Sequence, residues 1–260
     1  KLKAYAELWG VYRKNTAGLD SLDIKLLDDY SRQCSLGKDY QTKVELLELK
    51  KQYLENKDPD EYMDVLKDLQ YGYDDLYEAL YGDDSYEMSP EKIKEIFYQK
   101  AFLRQKESMG MEVESSDVDP LLYNLMYFQK DTSESRKVAA AYSSYVGNRS
   151  GKESEEYCKS LDMLVSTYDM GDAGVIPILK ELLSLTEKVL GKDNLSYTAA
   201  NARLTYALSQ NHHMQESIEI QSADLNEDDI SALMTLSTQQ SQYGQYREAI
   251  DTYEKMLNYC

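Results

Sequence analysis

A helical pattern that recurs over the last 70 residues constrains this chain more than any other feature. Leu204, Thr205 and Leu208 form one stripe. Leu233, Leu236, Ser237, Gly244, Tyr246, Ala249, Tyr253 and Met256 form a longer one, at spacings of 3, 1, 7, 2, 3, 4 and 3. Apolar or small residues every three to four positions, interrupted by one Gly, describe two amphipathic helices joined by a tight turn. Leu204 and Leu236 lie 32 residues apart, close to the period of a stacked array of helix pairs. A pair in such an array buries its apolar faces only against its neighbours. The expected fold is therefore all-α, a single solenoid of antiparallel helix pairs over residues 1–260.

The same spacing reappears upstream. Leu161, Leu164, Val165 and Tyr168 make a first-helix stripe closed by Gly171-Asp172, with a second helix expected from Gly174 to Leu190 and entered before Pro177. Leu122, Leu125, Met126 and Gln129 repeat it, followed by Val138, Tyr142 and Tyr145. Leu46, Leu49, Lys50 and Tyr53 repeat it again, with Tyr62, Leu66 and Leu69 behind them. Ile93 and Ile96 match less well, inside a helix expected from Pro90 to Ser108. Equating Tyr53, Gln129, Tyr168, Leu208 and Gln240 gives steps of 76, 39, 40 and 32 residues. The first step spans two periods, so one degenerate unit is expected over residues 80–118 and five or six helix pairs in all. Residues 108–120, rich in Met and acid and without a period, read as an irregular loop.

Four turns share a signature: Leu36-Gly37-Lys38-Asp39, Tyr81-Gly82-Asp83-Asp84, Gly151-Lys152-Glu153 and Leu190-Gly191-Lys192-Asp193. Gly at a helix end supplies the positive-φ residue that closes it, and the acid after it is expected to cap the next helix. These glycines punctuate the array and do not read as a phosphate cradle.

Composition agrees with helix: Pro is 4 of 260 residues and Val and Ile are scarce. Tyr stands out, at 24 against 3 Phe and 1 Trp, and suits half-buried helix seams or interface floors. A net charge of −18 argues against direct contact with nucleic acid or an anionic membrane surface. Twelve acidic residues fall between Asp58 and Glu91, with Lys67 as their one basic companion. That stretch is either a solvated outer face or a field that steers a basic partner. Cys34, Cys158 and Cys260 show no metal-ligand spacing, and their odd number makes a disulfide framework an unlikely design. No apolar run approaches the ~18 residues needed to span a bilayer and no signal segment opens the chain, so the expected location is the cytoplasm. The chain starts inside one helical pattern and stops directly after another, which reads as truncation at both ends.

The run Leu190-Gly191-Lys192-Asp193-Asn194-Leu195 with Leu204, and then Gly244-Gln245-Tyr246-Arg247-Glu248-Ala249, resembles the tetratricopeptide repeat. The likeness is to its longer-period variety, found in kinesin light chains and many bacterial proteins. There the unit reads approximately L-G-x-D-H-P, then N-L-A, then G-x-Y-x-E-A. Here Asn194 and Leu195 replace His-Pro, Arg203-Leu204-Thr205 stands for Asn-Leu-Ala, and His212 to Ser217 stands for the Gly-containing turn. The resemblance is good over residues 155–258. It implies a right-handed superhelix whose first helices line a concave groove for a peptide or helix of a partner. Much of the family's Asn-rich groove pattern is absent, so a cargo preference does not carry over.

With the apolar stripes turned inward to their neighbours, a helix rotating 100° per residue aims a defined set of side chains across the groove. In the last repeat these include Met234, Thr238, Ser241 and Gln242, and in the one before it Ala199, Arg203, Tyr206 and Gln210. In the third-last they include Asp162 and Asp169. Tyr206 and Met234 offer apolar contacts, Arg203 a forked donor, and Gln210 and Gln242 pairing with a peptide backbone. Asp162 and Asp169 favour a partner segment that joins Lys or Arg to an apolar anchor. The alternative for each residue is an ordinary exposed or seam position. No catalytic, cofactor or metal site is expected. Only His212 and His213 are available for imidazole chemistry, and His212 with Glu216 lacks a third ligand. Cys34 and Cys158 lie on apolar faces, where a thiol is inert. The expected function is a protein- or peptide-binding scaffold or adaptor. The alternative is a non-catalytic helical segment that packs against further domains of a larger protein.

Overall fold

The computed structural model describes residues 1–15, 21–82, 85–223 and 230–257. Asp83, Asp84 and Cys260, named above, lie outside the described residues. Among the described residues there are thirteen α-helices, one π-helical turn and no strand. The chain divides into two compact units, Lys1–Ser135 and Arg136–Cys260.

The first unit holds α1 (Leu2–Asn15), α2 (Ser21–Gly37), α3 (Tyr40–Leu54), α4 (Pro59–Tyr81), α5 (Pro90–Ser108) and α6 (Ser115–Tyr123), which runs into the π turn Asn124–Phe128. Each helix packs on the next. One core gathers Trp9, Leu27, Tyr30, Cys34 and Leu46, and a second joins Leu47, Val65, Leu66, Leu69, Tyr98 and Phe102. Helix starts follow the sequence closely. Asp58 accepts backbone N–H bonds from Asp60 and Glu61 with Pro59 at the first helical position, and Ser89 does the same for Lys92 before Pro90.

Three expectations fail in this unit for local reasons. The loop expected over residues 108–120 is irregular only over 109–114, because α6 begins at Ser115. Asp117 Oδ2 accepts the Glu114 N–H at 2.9 Å and pairs with Lys106 at 2.6 Å, a start signal that Met and acid richness conceals. The degenerate pair expected over residues 80–118 is a single complete helix, α5, flanked by the end of α4 and the start of α6. The stripe ending at Gln129 ends instead at Phe128, which is buried while Gln129 is exposed. The π turn, closed by Gln129 N–H to Asn124 O at 3.0 Å, shifts the register that an unbroken α-helix would keep.

The second unit contains most of α7 (Thr132–Ser150), then α8 (Glu155–Ser166), α9 (Val175–Leu190), α10 (Leu195–Gln210), α11 (Met214–Ala223), α12 (Ile230–Tyr243) and α13 (Tyr246–Leu257). Its core joins Val146, Leu161, Val165, Leu179, Leu182, Leu204 and Leu208. The inward stripes of the last two repeats are buried as the spacing required. Leu233, Leu236, Ser237 and Gln240 are all shielded on α12, and Leu204 and Leu208 on α10.

The turns obey their signature only in part. Gly191 closes α9 at φ 84° and ψ 162°, and Gly82 closes α4 at φ 79° and ψ 162°, a region open at low cost to glycine alone. At the first turn, however, Lys38 takes the positive φ and Gly37 ends α2, where a Cβ would stand 2.9 Å from Leu2 Cδ2. A shift of the Leu2 side-chain tip would accommodate it. Asp39 caps α3 as expected, through Thr42 N–H. The caps of α8 and α10 are Ser154 and Asn194, each one residue beyond the acid expected to serve.

Candidate functional site

The residues expected to line a groove fall on α8, α10, α12 and the turn after α8. Tyr206 and Met234 are large apolar side chains left 55% and 59% exposed, on helices whose opposite faces are sealed. Gln210, Thr238, Ser241 and Gln242 are exposed as well. The Thr238 hydroxyl donates to Met234 O at 2.8 Å, so it satisfies its own helix. Arg203 and Asp162 meet each other: the guanidinium of α10 pairs with the carboxylate of α8. Two residues selected independently as facing one way do share a surface. They neutralise one another there, in an exposed pair of small energetic weight.

Asp169 behaves differently. It lies past the end of α8, and its Oδ1 accepts the Gly171 N–H at 2.7 Å, so it shapes a turn. Tyr168, placed in the α8 stripe, likewise sits beyond that helix and carries the Arg136 guanidinium 4.0 Å from its ring centroid. Asp162 and Ala199 line one cleft of about 390 Å³ whose floor is Leu182, Thr186 and Leu190 of α9.

His212 and His213 are exposed at the turn before α11, and Glu216 pairs with Lys180 at 2.6 Å. Burial pushes the Cys34 thiol up to about 11, helped by the Asp39 carboxylate, and burial also raises Cys158. Both thiols stay protonated at neutral pH. Among the described residues no cluster of His, Cys, Asp or Glu is arranged to hold a metal.

A buried polar cluster in the first unit lies outside the sites expected from the sequence. On α5, Lys92, Glu95 and Gln99 are buried beside Ile96, Tyr98 and Phe102, while Ile93 and Phe97 are more than half exposed, so the buried face of this helix mixes charged and polar side chains with apolar ones. Lys92 Nζ pairs with Asp74 at 2.9 Å and Glu95 at 2.6 Å, and lies 4.4 Å from the ring centroids of both Tyr77 and Phe128. Glu95 Oε1 accepts from Gln99 at 2.9 Å and from Asn124, the first residue of the π turn, at 2.5 Å. Its Oε2 has the charge contact with Lys92 but no aligned hydrogen bond.

Burial, reinforced by the Asp74 charge, pushes Glu95 up to about 7, against the pull of Lys92 and Asn124. For Lys92, burial opposes the charge, yet Glu95 and Asp74 outweigh it and the ammonium is held above its ordinary range. These groups line a cleft of about 400 Å³ with Glu78, Tyr86, Asp119 and Tyr123. The available signal was a polar stripe at i, i+3 and i+7 (Lys92, Glu95, Gln99) where an apolar one was sought. Asp74 and Asp75, read as part of a solvated or steering face, are both ion-paired, Asp75 with Lys43 at 2.7 Å.

No family model and no curated protein matches this sequence. Comparison with solved structures does find similar chains. This protein is similar to tetratricopeptide-like repeat proteins. One such structure is a Podosopora anserina chain described as a kinesin light chain with nearly identical TPR-like repeats, at 15% identity and a TM-score of 0.42 over 90% of this chain and 93% of that one. A single-substitution variant of that protein scores the same. BtubC (BKLC) from P. vanneervenii matches at 10% identity and a TM-score of 0.35, over 99% of this chain and 85% of that one.

Proposed function

We propose that this chain is a binding scaffold that captures a segment of a partner polypeptide on the face carrying Asp162 and Arg203 of α8 and α10, together with Tyr206 and Met234. The observation that carries the reading is the exposure of Tyr206 and Met234 on helices that bury Leu204 and Leu208, and Leu233 and Leu236, on another face. A folded surface that leaves a Tyr and a Met open beside small polar residues has the composition of a recognition face, in which a few aromatic and flexible apolar groups supply most of the affinity. The preferred segment joins Lys or Arg to an apolar anchor, because the molecule as a whole is strongly acidic. A photo-crosslinking residue placed at Met234 tests this directly. Capture of a defined polypeptide segment from Met234, and of none from the outward Glu254 of α13, is the expected result. Indiscriminate or equal capture from both positions would remove the reading.

A further inference from the structure

The acidic, aromatic cleft of the first unit has an inner tier and an outer tier. In the inner tier a cation is already in place: Lys92 Nζ sits against the rings of Tyr77 and Phe128 and between the carboxylates of Asp74 and Glu95. The outer tier repeats the ingredients. Tyr86 and Tyr123 pack on Phe128 with ring centroids 5.5 Å and 6.1 Å away, Tyr123 packs on Tyr127 at 4.7 Å, and Asp119 stands one helical turn before Tyr123. Tyr86, Tyr123 and Tyr127 are each about half exposed. Asp119 has no hydrogen-bonded or ionic partner among the described residues, and partial burial alone raises its pKa with no positive charge to oppose it. The outer tier has every element of the inner one except the cation.

We propose that this cleft receives an arginine side chain from a partner polypeptide, its guanidinium stacked on the Tyr86 and Tyr123 rings and paired with Asp119. The lining carries four carboxylates (Asp74, Glu78, Glu95 and Asp119) against the single ammonium of Lys92, which Asp74 and Glu95 already engage. An anion entering would meet net negative charge and the electron-rich faces of aromatic rings. A cation is favoured by both. Arginine fits better than lysine because its planar, weakly hydrated group can lie on a ring and present its edge to a carboxylate together. A polypeptide fits better than a free polyamine because the half-exposed Tyr127 continues the aromatic surface beyond the cleft's own lining, where only flanking residues of a chain reach it. Every residue of this site lies between 74 and 128, so the inference goes beyond the reading for α8 to α12 and stands or falls without it.

The test is calorimetric titration of the full chain with an acetylated Arg-Gly-Arg-Gly-Arg-Gly hexapeptide, its Lys and citrulline counterparts, and spermidine. The arginine peptide should bind, the lysine peptide less tightly, and the citrulline peptide at least about ten-fold more weakly, since the charge is the main contact. Asp119→Asn and Tyr123→Ala, both at exposed positions, should each weaken the arginine peptide about ten-fold while the chain keeps its helical spectrum. Asp64→Asn, which removes one charge of the same acidic stretch away from the cleft, should leave binding unchanged, and so should Tyr206→Ala and Met234→Ala. Equal binding of the citrulline peptide, competition by spermidine at equal strength, or indifference to both Asp119→Asn and Tyr123→Ala would each overturn the proposal.

Discussion

At the scale of single residues, Glu95 has the most distinctive physics. Burial and the Asp74 charge raise it to about 7, whereas an unfolded carboxylate titrates near ~4.3. Between those values the folded protein holds a proton that the unfolded chain has released. That contribution to stability is complete below about pH 4 and is lost as pH rises through 7. Thermal melts at pH 5 and pH 8 should show a drop in wild type that Glu95→Gln makes smaller, and an identical drop in both would contradict the assignment. On α12, Leu236 is 2% exposed and Ser241 is open. Leu236→Ala should cost about 2–5 kcal/mol in denaturant unfolding and Ser241→Ala under about 0.5 kcal/mol. Equal costs would mean that the inner and outer faces are misassigned. This contrast was legible in the sequence, because burial of an apolar stripe follows from spacing alone. The Lys92–Glu95 pairing was not, because it needs Asp74, Tyr77, Asn124 and Phe128 brought in from other elements.

At the scale of elements, starts and stops were the readable part. Pro90–Ser108 is a helix with the bounds its sequence gives, and α9 runs to Leu190 where Gly191 stops it. Gly191→Ala should cost about 1–3 kcal/mol, since no other residue enters φ 84°, ψ 162° without strain. A loss below about 0.3 kcal/mol, well under the usual cost of such strain, would show that the turn relaxes to another geometry. The misread elements share one cause. The helix α6 buries only Val118, Leu121 and Leu122, with Pro120 between them and the π turn directly after, so nine residues give no repeat to detect. The polar part of the buried face of α5 (Lys92, Glu95 and Gln99) is invisible to a reading that equates buried with apolar. It becomes visible only when the ion pairs that make burial of Lys92 and Glu95 tolerable are in view.

At the scale of the whole molecule, the composition and period specify helices and leave almost no place for period-two alternation. Far-UV circular dichroism should show a strongly helical spectrum without a sheet component, and a substantial sheet signal would contradict the fold. No helix among the described residues is long and apolar enough to cross a membrane. A step of two periods does not say whether a pair or a single helix fills it, and α5 fills it with the flanking ends of α4 and α6. The candidate face was readable as a set of exposed positions. Its electrostatics were not, because Arg203 and Asp162, read as separate contributions to a partner, are partners of each other.

The most direct measurement of the central claim is a titration of the segment captured at Met234 against wild type, Tyr206→Ala and Met234→Ala, at low and high salt. A scaffold that binds through this face should take a segment with Lys or Arg beside an apolar anchor, weaken as salt rises, and lose about ten-fold or more in affinity with either substitution. Tight binding of an acidic segment, insensitive to salt and untouched by both substitutions, would contradict the face and the partner together.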